Sequence, residues 1–487
     1  MNELHFPWIE SGIGILCLGA LFVSRVPSAD AARRWSIVFS SIALLLMIGL
    51  YADFRFLLAN DVQLWEAHDP FDVFHSFFGT FDIAVDNFSV PLMPLTALLY
   101  LLTTVATLRT KVRRFSFALT LLSESIVLAT FCCESAWGII ALASLATVPP
   151  YFELRAREKP TRVYVIHMAA FIALMVIGHA FVIREEGERV ESLIAAVPLL
   201  LAIFVRSGIA PFHCWMTDLF ENATFGTALL FAAPLTGAYL AVRLVFPIAP
   251  DWMLRSLGIV SIITVVYAAG MALVQKEARR FYCYIFLSHS ALVLVGMETA
   301  TVLGLTGALC VWLSVGLALS GFGLTMRALE ARHGRLELTR FRGLYEHTPA
   351  LAICFLLTGL ASVGFPGTFG FIGMEMLVDA TVNIYPLAAW LVVLAAALNG
   401  IAIVKAYFLL FTGTRHASPV SLRIGQRERF AVLLLATLII LGGLMPQVSV
   451  NSRFRAAEHL LAARFGLGSD PESSERPGDS HHQLESP

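Results

Sequence analysis

The chain has 487 residues, 57% of them hydrophobic and 14% charged, with a mean hydropathy of +0.75 and a formal net charge of -1. A soluble protein of this length carries roughly 25% charged residues, so the composition excludes a soluble enzyme. It points to a polytopic membrane protein embedded in a lipid bilayer, with no nucleic-acid partner.

Apolar blocks of about 20 residues, the length that crosses a bilayer as a helix, recur along the chain. In chain order they predict fourteen spans, over 8–25, 35–52, 87–108, 115–133, 136–152, 163–183, 193–213, 225–246, 254–274, 280–300, 302–327, 348–382, 387–413 and 429–448. Met1–Pro7 is not basic and precedes no clear cleavage site, so the first block reads as a retained helix. The twelfth block is long and is interrupted by Gly364-Phe365-Pro366-Gly367. No strands are predicted. From about residue 466 the chain turns polar and rich in Ser, Pro, Glu and His, a composition expected to be disordered. The expected division is 1–80 for the first two helices and a loop, 81–450 for the main membrane domain, and 466–487 for the polar tail.

Lys and Arg concentrate in alternate loops: Arg25/Arg33/Arg34, Arg109/Lys111/Arg113/Arg114, Arg155/Arg157/Lys159/Arg162, Lys276/Arg279/Arg280, Arg332/Arg335/Arg340/Arg342 and Arg415/Arg423/Arg427/Arg429. The intervening loops carry only Arg55, Arg184, Arg189 and Arg255. The positive-inside rule then puts both termini outside an inner (plasma) membrane crossed many times. The seven cysteines are scattered through apolar blocks with no C-x-x-C and no Cys/His spacing, so no metal site is expected.

Ionisable side chains inside apolar spans are the candidates for function, because each is costly there; an arginine at mid-membrane costs about 3 kcal/mol on insertion scales. They are Glu124, His167, His179, Arg206, Arg243, His289, Glu375 and Lys405. Buried acids, bases and histidines can relay protons. Arg243 and Lys405 stand near predicted span ends, where long side chains snorkel to the interface. His167 and His179 are twelve residues apart, do not share a turn, and read as core histidines. Pro211, Pro234 and Pro366 are predicted helix breaks. A proline removes an amide donor, and the carbonyls this frees must face protein or water in a membrane; transporters use such breaks to set backbone dipoles beside an ion path. There is no Walker loop and no dinucleotide fingerprint, so no catalytic residue and no cofactor-binding residue is assigned.

Four segments carry a resemblance. Arg206-Ser207-Gly208-Ile209-Ala210-Pro211-Phe212-His213-Cys214-Trp215 resembles K-x-x-x-x-P-F-H-x-W. Val85-Asp86-Asn87-Phe88-Ser89 resembles V-D-x-L-S, Glu277 to His289 resembles D-x-K-R-x-x-A-Y-S-x-x-S-H, and Gly364 to Gly373 resembles G-x-P-x-x-x-x-F-x-G. These belong to the antiporter-like, proton-translocating membrane subunits of respiratory complex I and of Mrp antiporters, and the chain looks closest to the M-type (chain 4) subunit of NADH–quinone oxidoreductase. The resemblance spans about residues 80–450. It implies an all-α, inverted-repeat fold of about fourteen helices with breaks near spans seven, eight and twelve. It implies a non-catalytic subunit of a proton-translocating complex, other membrane subunits as partners, and quinone and redox centres in those partners. The alternative is a subunit of an Mrp-type cation/proton antiporter or of an inorganic-carbon uptake complex.

Residue by residue, the resemblance is uneven. The family's span-five glutamate falls on Ser144, its span-seven lysine on Arg206, its span-eight lysine on Leu235 and its span-eleven histidine on Val315; span twelve keeps an acid, Glu375, offset by about one position. An arginine cannot readily release its proton, and leucine and valine cannot relay one. The proton path therefore departs from the family pattern. Glu124 is the expected partner of Arg206, since both are buried charges that need one.

Overall fold

A computed structural model describes residues 3–60, 64–70, 83–108, 115–184, 192–413 and 425–465. The polar tail, Arg109 to Arg114, Arg189, Arg415 and Arg423 lie outside the described residues. The described chain is helical apart from one small hairpin, which corrects the strand-free expectation: β1 (Glu66–His68) pairs antiparallel with β2 (Ala84–Asp86).

The helices follow the apolar blocks: α1 (Trp8–Ser24), α2 (Ala29–Asn60), α3 (Leu92–Val105), α4 (Phe117–Cys132), α5 (Ala136–Leu145), α6 (Val148–Ala156) and α7 (Arg162–Arg184) in the first part. Then come α8 (Leu193–Ser207), α9 (Cys214–Asn222), α10 (Phe225–Ala232), α11 (Thr236–Leu240), α12 (Asp251–Val274) and α13 (Ala278–Glu298). The last part holds α14 (Val302–Ser314), α15 (Ser320–His333), α16 (Pro349–Ser362), α17 (Phe369–Ile384), α18 (Pro386–Phe411), α19 (Gln426–Leu444) and α20 (Gln447–Phe465). Single π turns, Ala241–Val245 and Val315–Leu319, follow α11 and join α14 to α15. Three predicted spans are each two pieces: α5 with α6, α10 with α11, and α16 with α17; in the seventh, α8 stops at Ser207 and α9 begins beyond the predicted end.

Hydroxyl caps start several of these helices. Ser116, Ser135, Ser192, Thr224 and Thr301 each accept a backbone N–H from the first turn of α4, α5, α8, α10 and α14, satisfying donors that have no intrahelical partner. The start of α1 is held by Asp69, whose carboxylate accepts the amides of Ile9 and Glu10 at 2.9 and 3.0 Å. Burial pushes the Asp69 carboxyl up to about 6, against the pull of those two amides.

Burial separates core from rim. Ala278–Glu298 and Phe225–Val245 each bury 94% of their apolar window, whereas Arg162–Arg184 buries 22% and Ala29–Asn60 28%. The first pair are central elements; the second pair turn leucines and isoleucines outward, as lipid-facing helices do. Helix α20 is not foreseen by the sequence reading. It leaves α19 at a bend of 76° and carries too little apolar length to announce a span. It docks through Arg453, which donates to the carbonyls of Asn87 and Phe88, and through Arg464, which donates to those of Phe246 and Ala249 and to Asp251.

Candidate functional site

The site begins where α8 stops. Gly208 takes the left-handed conformation (φ 69°), and its amide turns back to the carbonyls of Phe204 and Val205; glycine has no Cβ penalty there. The chain then runs irregularly through Pro211 to α9. Groups freed by the break find protein partners, as a membrane interior demands. Trp215 Nε1 donates to Val205 O at 2.7 Å, and the Ala210 amide donates to Thr264 Oγ1 at 3.1 Å. A second break lies opposite, at Pro234 and Leu235, where Leu235 has φ 52°. The two breaks touch at Gly237: a Cβ there would collide with Ser207 Oγ and sit 2.9 Å from the Ser207 amide.

Arg206 occupies the last turn of α8 between these breaks and is 3% exposed. Its guanidinium donates to Thr236 Oγ1 at 2.8 Å and lies 4.2 Å from the Phe231 ring centroid and 5.9 Å from that of Trp215. Its Nε has no hydrogen-bond partner, nor does the neighbouring Ser207 Oγ. No carboxylate of the described residues lies within 4.0 Å of it. A cavity of about 20 Å³, lined by Arg206, Ser207, Leu235, Thr236 and Ser290, adjoins the guanidinium; that is room for about one water.

The expected pairing of Arg206 with Glu124 is not formed. Glu124 is fully buried on α4, and its Oε2 accepts from Ser40 Oγ on α2 at 2.8 Å, while Oε1 has no partner. The acid faces the N-terminal helices; the arginine faces the helix breaks. The Tyr100 hydroxyl, on α3, feels both charges and hydrogen-bonds Ser123 Oγ at 2.8 Å.

A buried acid missed by sequence reasoning completes the arrangement. Glu153, on α6 and 5% exposed, accepts the Thr224 amide at 2.7 Å and the Thr227 hydroxyl, with Arg157 at 3.8 Å. Glu153, Thr227, Tyr100, Ser123 and Phe231 line one small cavity of about 20 Å³. Phe231 also carries the Arg206 guanidinium on its face. Polar groups thus run from Glu153 through Tyr100 and Ser123 to Arg206, Thr236 and Ser290.

The other candidates scatter. His289 is buried beside Ser290 on α13, with Nδ1 2.7 Å from Ile285 O. Its neighbour Ser288 bonds Val265 O and accepts from Asn399, tying α13 to α12 and α18. His167 is half-buried with Nδ1 2.8 Å from Val163 O, and His179 packs edge-on against Trp137; neither lies among the groups around Arg206. Lys405 is exposed and donates to Leu273 O at 2.9 Å, where α12 ends. It ties α18 to the C-terminal end of α12. Glu375 faces out of α17 into an open cavity of about 900 Å³ that Asp379 also lines. Pro366 breaks the chain between α16 and α17, flanked by Gly364 (φ 81°) and Gly367 (φ 85°). Arg243 does not snorkel alone; it pairs with Asp86 at 2.8 Å. Burial would raise the Asp86 carboxyl, but the Arg243 charge and the Ser89 hydrogen bonds outweigh it and hold the carboxyl below its usual range.

The chain is similar to known membrane proteins. The family described as "NADH:quinone oxidoreductase/Mrp antiporter, TM" matches residues 164–399. NAD(P)H-quinone oxidoreductase chain 4 3 of Trichormus variabilis is 25% identical over 92% of this chain and 90% of its own length. NADH-quinone oxidoreductase subunit M of Rickettsia bellii is 27% identical over 79% of this chain and 84% of its own. Among solved structures, a chain of respiratory complex I from Thermus thermophilus superposes with a TM-score of 0.78 at 20% identity, over 94% of this chain and 99% of that one. A chain of the Mrp complex from Dietzia sp. gives 0.78 at 16% identity, over 93% and 97%. Both likenesses speak for the fold.

Proposed function

We propose that the chain, which resembles the antiporter-like membrane subunits of complex I and Mrp antiporters, is a membrane subunit of a complex-I-like quinone oxidoreductase. It takes part in proton translocation with Arg206 as a fixed charge instead of a titrating relay. The observation that carries this reading is the pairing of Arg206: a threonine hydroxyl and an aromatic face, with no carboxylate in ion-pair range. A lysine in such a place can lose its proton; an arginine keeps it. A permanent cation at mid-membrane repels a passing proton, so Arg206 sets a barrier on the axis instead of handing the proton on. Glu153, Tyr100 and Ser123 then form a half-channel leading up to that barrier.

On this reading the chain catalyses nothing itself. Quinone and redox centres belong to partner membrane and peripheral subunits, and the protein sits in the plasma membrane with both termini outside. The quinone-oxidoreductase reading is preferred to the Mrp one because the curated relatives carry that name at 25–28% identity; the Mrp likeness, at 16%, bears on the fold alone.

The test is proton translocation per electron in the reconstituted complex across pH. Arg206→Lys is expected to add an alkaline limb to the pH profile that the wild type lacks, because only lysine titrates there. Arg206→Lys and Arg206→Gln both giving the wild-type ratio and profile would remove Arg206 from the path.

A further inference from the structure

We propose that the basic end of the molecule holds a phosphate-bearing anion, in a cavity between the ends of α3, α6, α10, α15 and α19. The cavity measures about 350 Å³, within the roughly 300–1,000 Å³ of small-molecule sites. It gathers side chains from three separate basic stretches of the sequence, Arg157 and Lys159, Arg279, and Arg335, together with Arg327 on α15.

Its charges do not cancel. Glu330, one of two acids in the lining, is taken by Arg279, which donates Nε to both carboxylate oxygens at 2.9 and 2.8 Å. Glu428, the other, is gripped by Arg332. What remains is cationic. Arg327 donates only to neutral acceptors, Thr103 O and Thr107 Oγ1, each at 2.8 Å. Arg335 donates to the backbone carbonyl of Glu221, whose carboxylate is held by Arg280. Among the described residues, Lys159, Arg327 and Arg335 have no carboxylate within ion-pair distance.

Cations converging on a recess without counter-charge repel one another, and an anion relieves that cost. Guanidinium forks match phosphate oxygens in pairs. The walls add a second requirement: Phe115 stands 5.3 Å from the Arg327 guanidinium, and Phe225 closes the other side. A ligand with a phosphate at one end and an apolar or aromatic body at the other fits both features. An anionic phospholipid headgroup and a soluble phosphate ester share that chemistry; basic recesses between helix ends on the positive side of a membrane protein suit the first. The proposal stands independently of how Arg206 acts.

The experiment uses the intact complex. One arm releases it from nanodiscs containing phosphatidylglycerol and weighs retained lipid by native mass spectrometry. The other follows thermal stabilisation by inorganic pyrophosphate. At least one probe is expected to bind, with affinity falling about tenfold in the double variant Lys159→Gln/Arg335→Gln, the loss of about one charge-assisted contact. Both positions are exposed, so this variant folds even where Arg327→Gln, which unpins Thr103 and Thr107, does not. Lipid retention lost in the variant and insensitive to pyrophosphate assigns a headgroup; stabilisation by pyrophosphate lost in the variant assigns a soluble anion. No binding of either probe to the wild type, or equal binding by the double variant, overturns the proposal.

Discussion

The molecule breaks two helices with the same device and uses them differently. At Gly208 and at Gly364 a helix ends in a left-handed glycine, and a proline follows, Pro211 or Pro366. At the first break the nearby charge, Arg206, is turned inward and packed under aromatic rings. At the second, Glu375 is turned outward into an open cavity. The difference lies in the neighbours. The first break meets another break head-on at Pro234, and their junction is sealed by Gly237 against the Ser207 backbone. At the second break α19 packs Gly443 against the Gly367 carbonyl, but the Cβ side of Gly367 meets nothing within 4 Å and an open cavity lies along the Glu375 face of α17. A helix break therefore does not define a site by itself; what packs against its freed groups decides whether it encloses a charge or presents one.

This contrast can be broken by mutation. The largest effect is expected from Gly237→Ala. Its Cβ must push the Ser207 backbone as well as the Ser207 hydroxyl, so the variant should lose about 3 kcal/mol and displace Arg206. Gly367→Ala should lose only the backbone cost of its positive φ, about 1–2 kcal/mol. Denaturation of the two variants reads the difference; equal losses would mean that the first break is no more tightly closed than the second.

The next effect concerns the ion pair beyond the Pro234 break, which faces the first. Asp86→Asn strips Arg243, just beyond α11, of its partner and should cost about 2 kcal/mol, less than a fully buried pair because both side chains are partly exposed. The sign with pH follows from the depressed Asp86 carboxyl. Its stabilisation is complete above the unfolded value of 3.8 and is lost as pH falls through the lower folded value. The acid limb of a stability profile should thus flatten in Asp86→Asn; an unchanged limb would exclude the pair.

The smallest effect should come from Glu375→Gln, within about 0.5 kcal/mol of wild type, as for an exposed surface change. Chemical labelling sharpens the same point. A hydrophobic carbodiimide should modify Glu375 in the isolated chain well before Glu124, which is fully buried. Mass mapping that finds Glu124 labelled first would reverse the inside and outside assigned to these acids.

Much of this architecture is legible in the sequence because the bilayer imposes it. Block length gives the helices, and Pro211, Pro234 and Pro366 mark three real breaks. The address of Arg206 can be read as well, from the P-F-H-x-W that follows it. What cannot be read is partnership. Glu124 is bonded to Ser40, 84 residues away, and not to Arg206. Glu153 lies one residue past the edge of its apolar block, so hydropathy assigns it to a loop, while its partners Thr224 and Thr227 stand more than 70 residues on. The outward face of Glu375 depends on which helices flank α17, a tertiary fact. Helix α20 escapes detection because polar residues interrupt its apolar face throughout.

That last helix has a consequence for how the protein is made. Arg453 and Arg464 satisfy carbonyls at Asn87, Phe88, Phe246 and Ala249, belonging to stretches translated hundreds of residues earlier. Until the ribosome has delivered α20, those acceptors lack their donors. Delivery of α20 is thereby the step that closes these contacts, and a product lacking this helix leaves those backbone oxygens without their arginine donors.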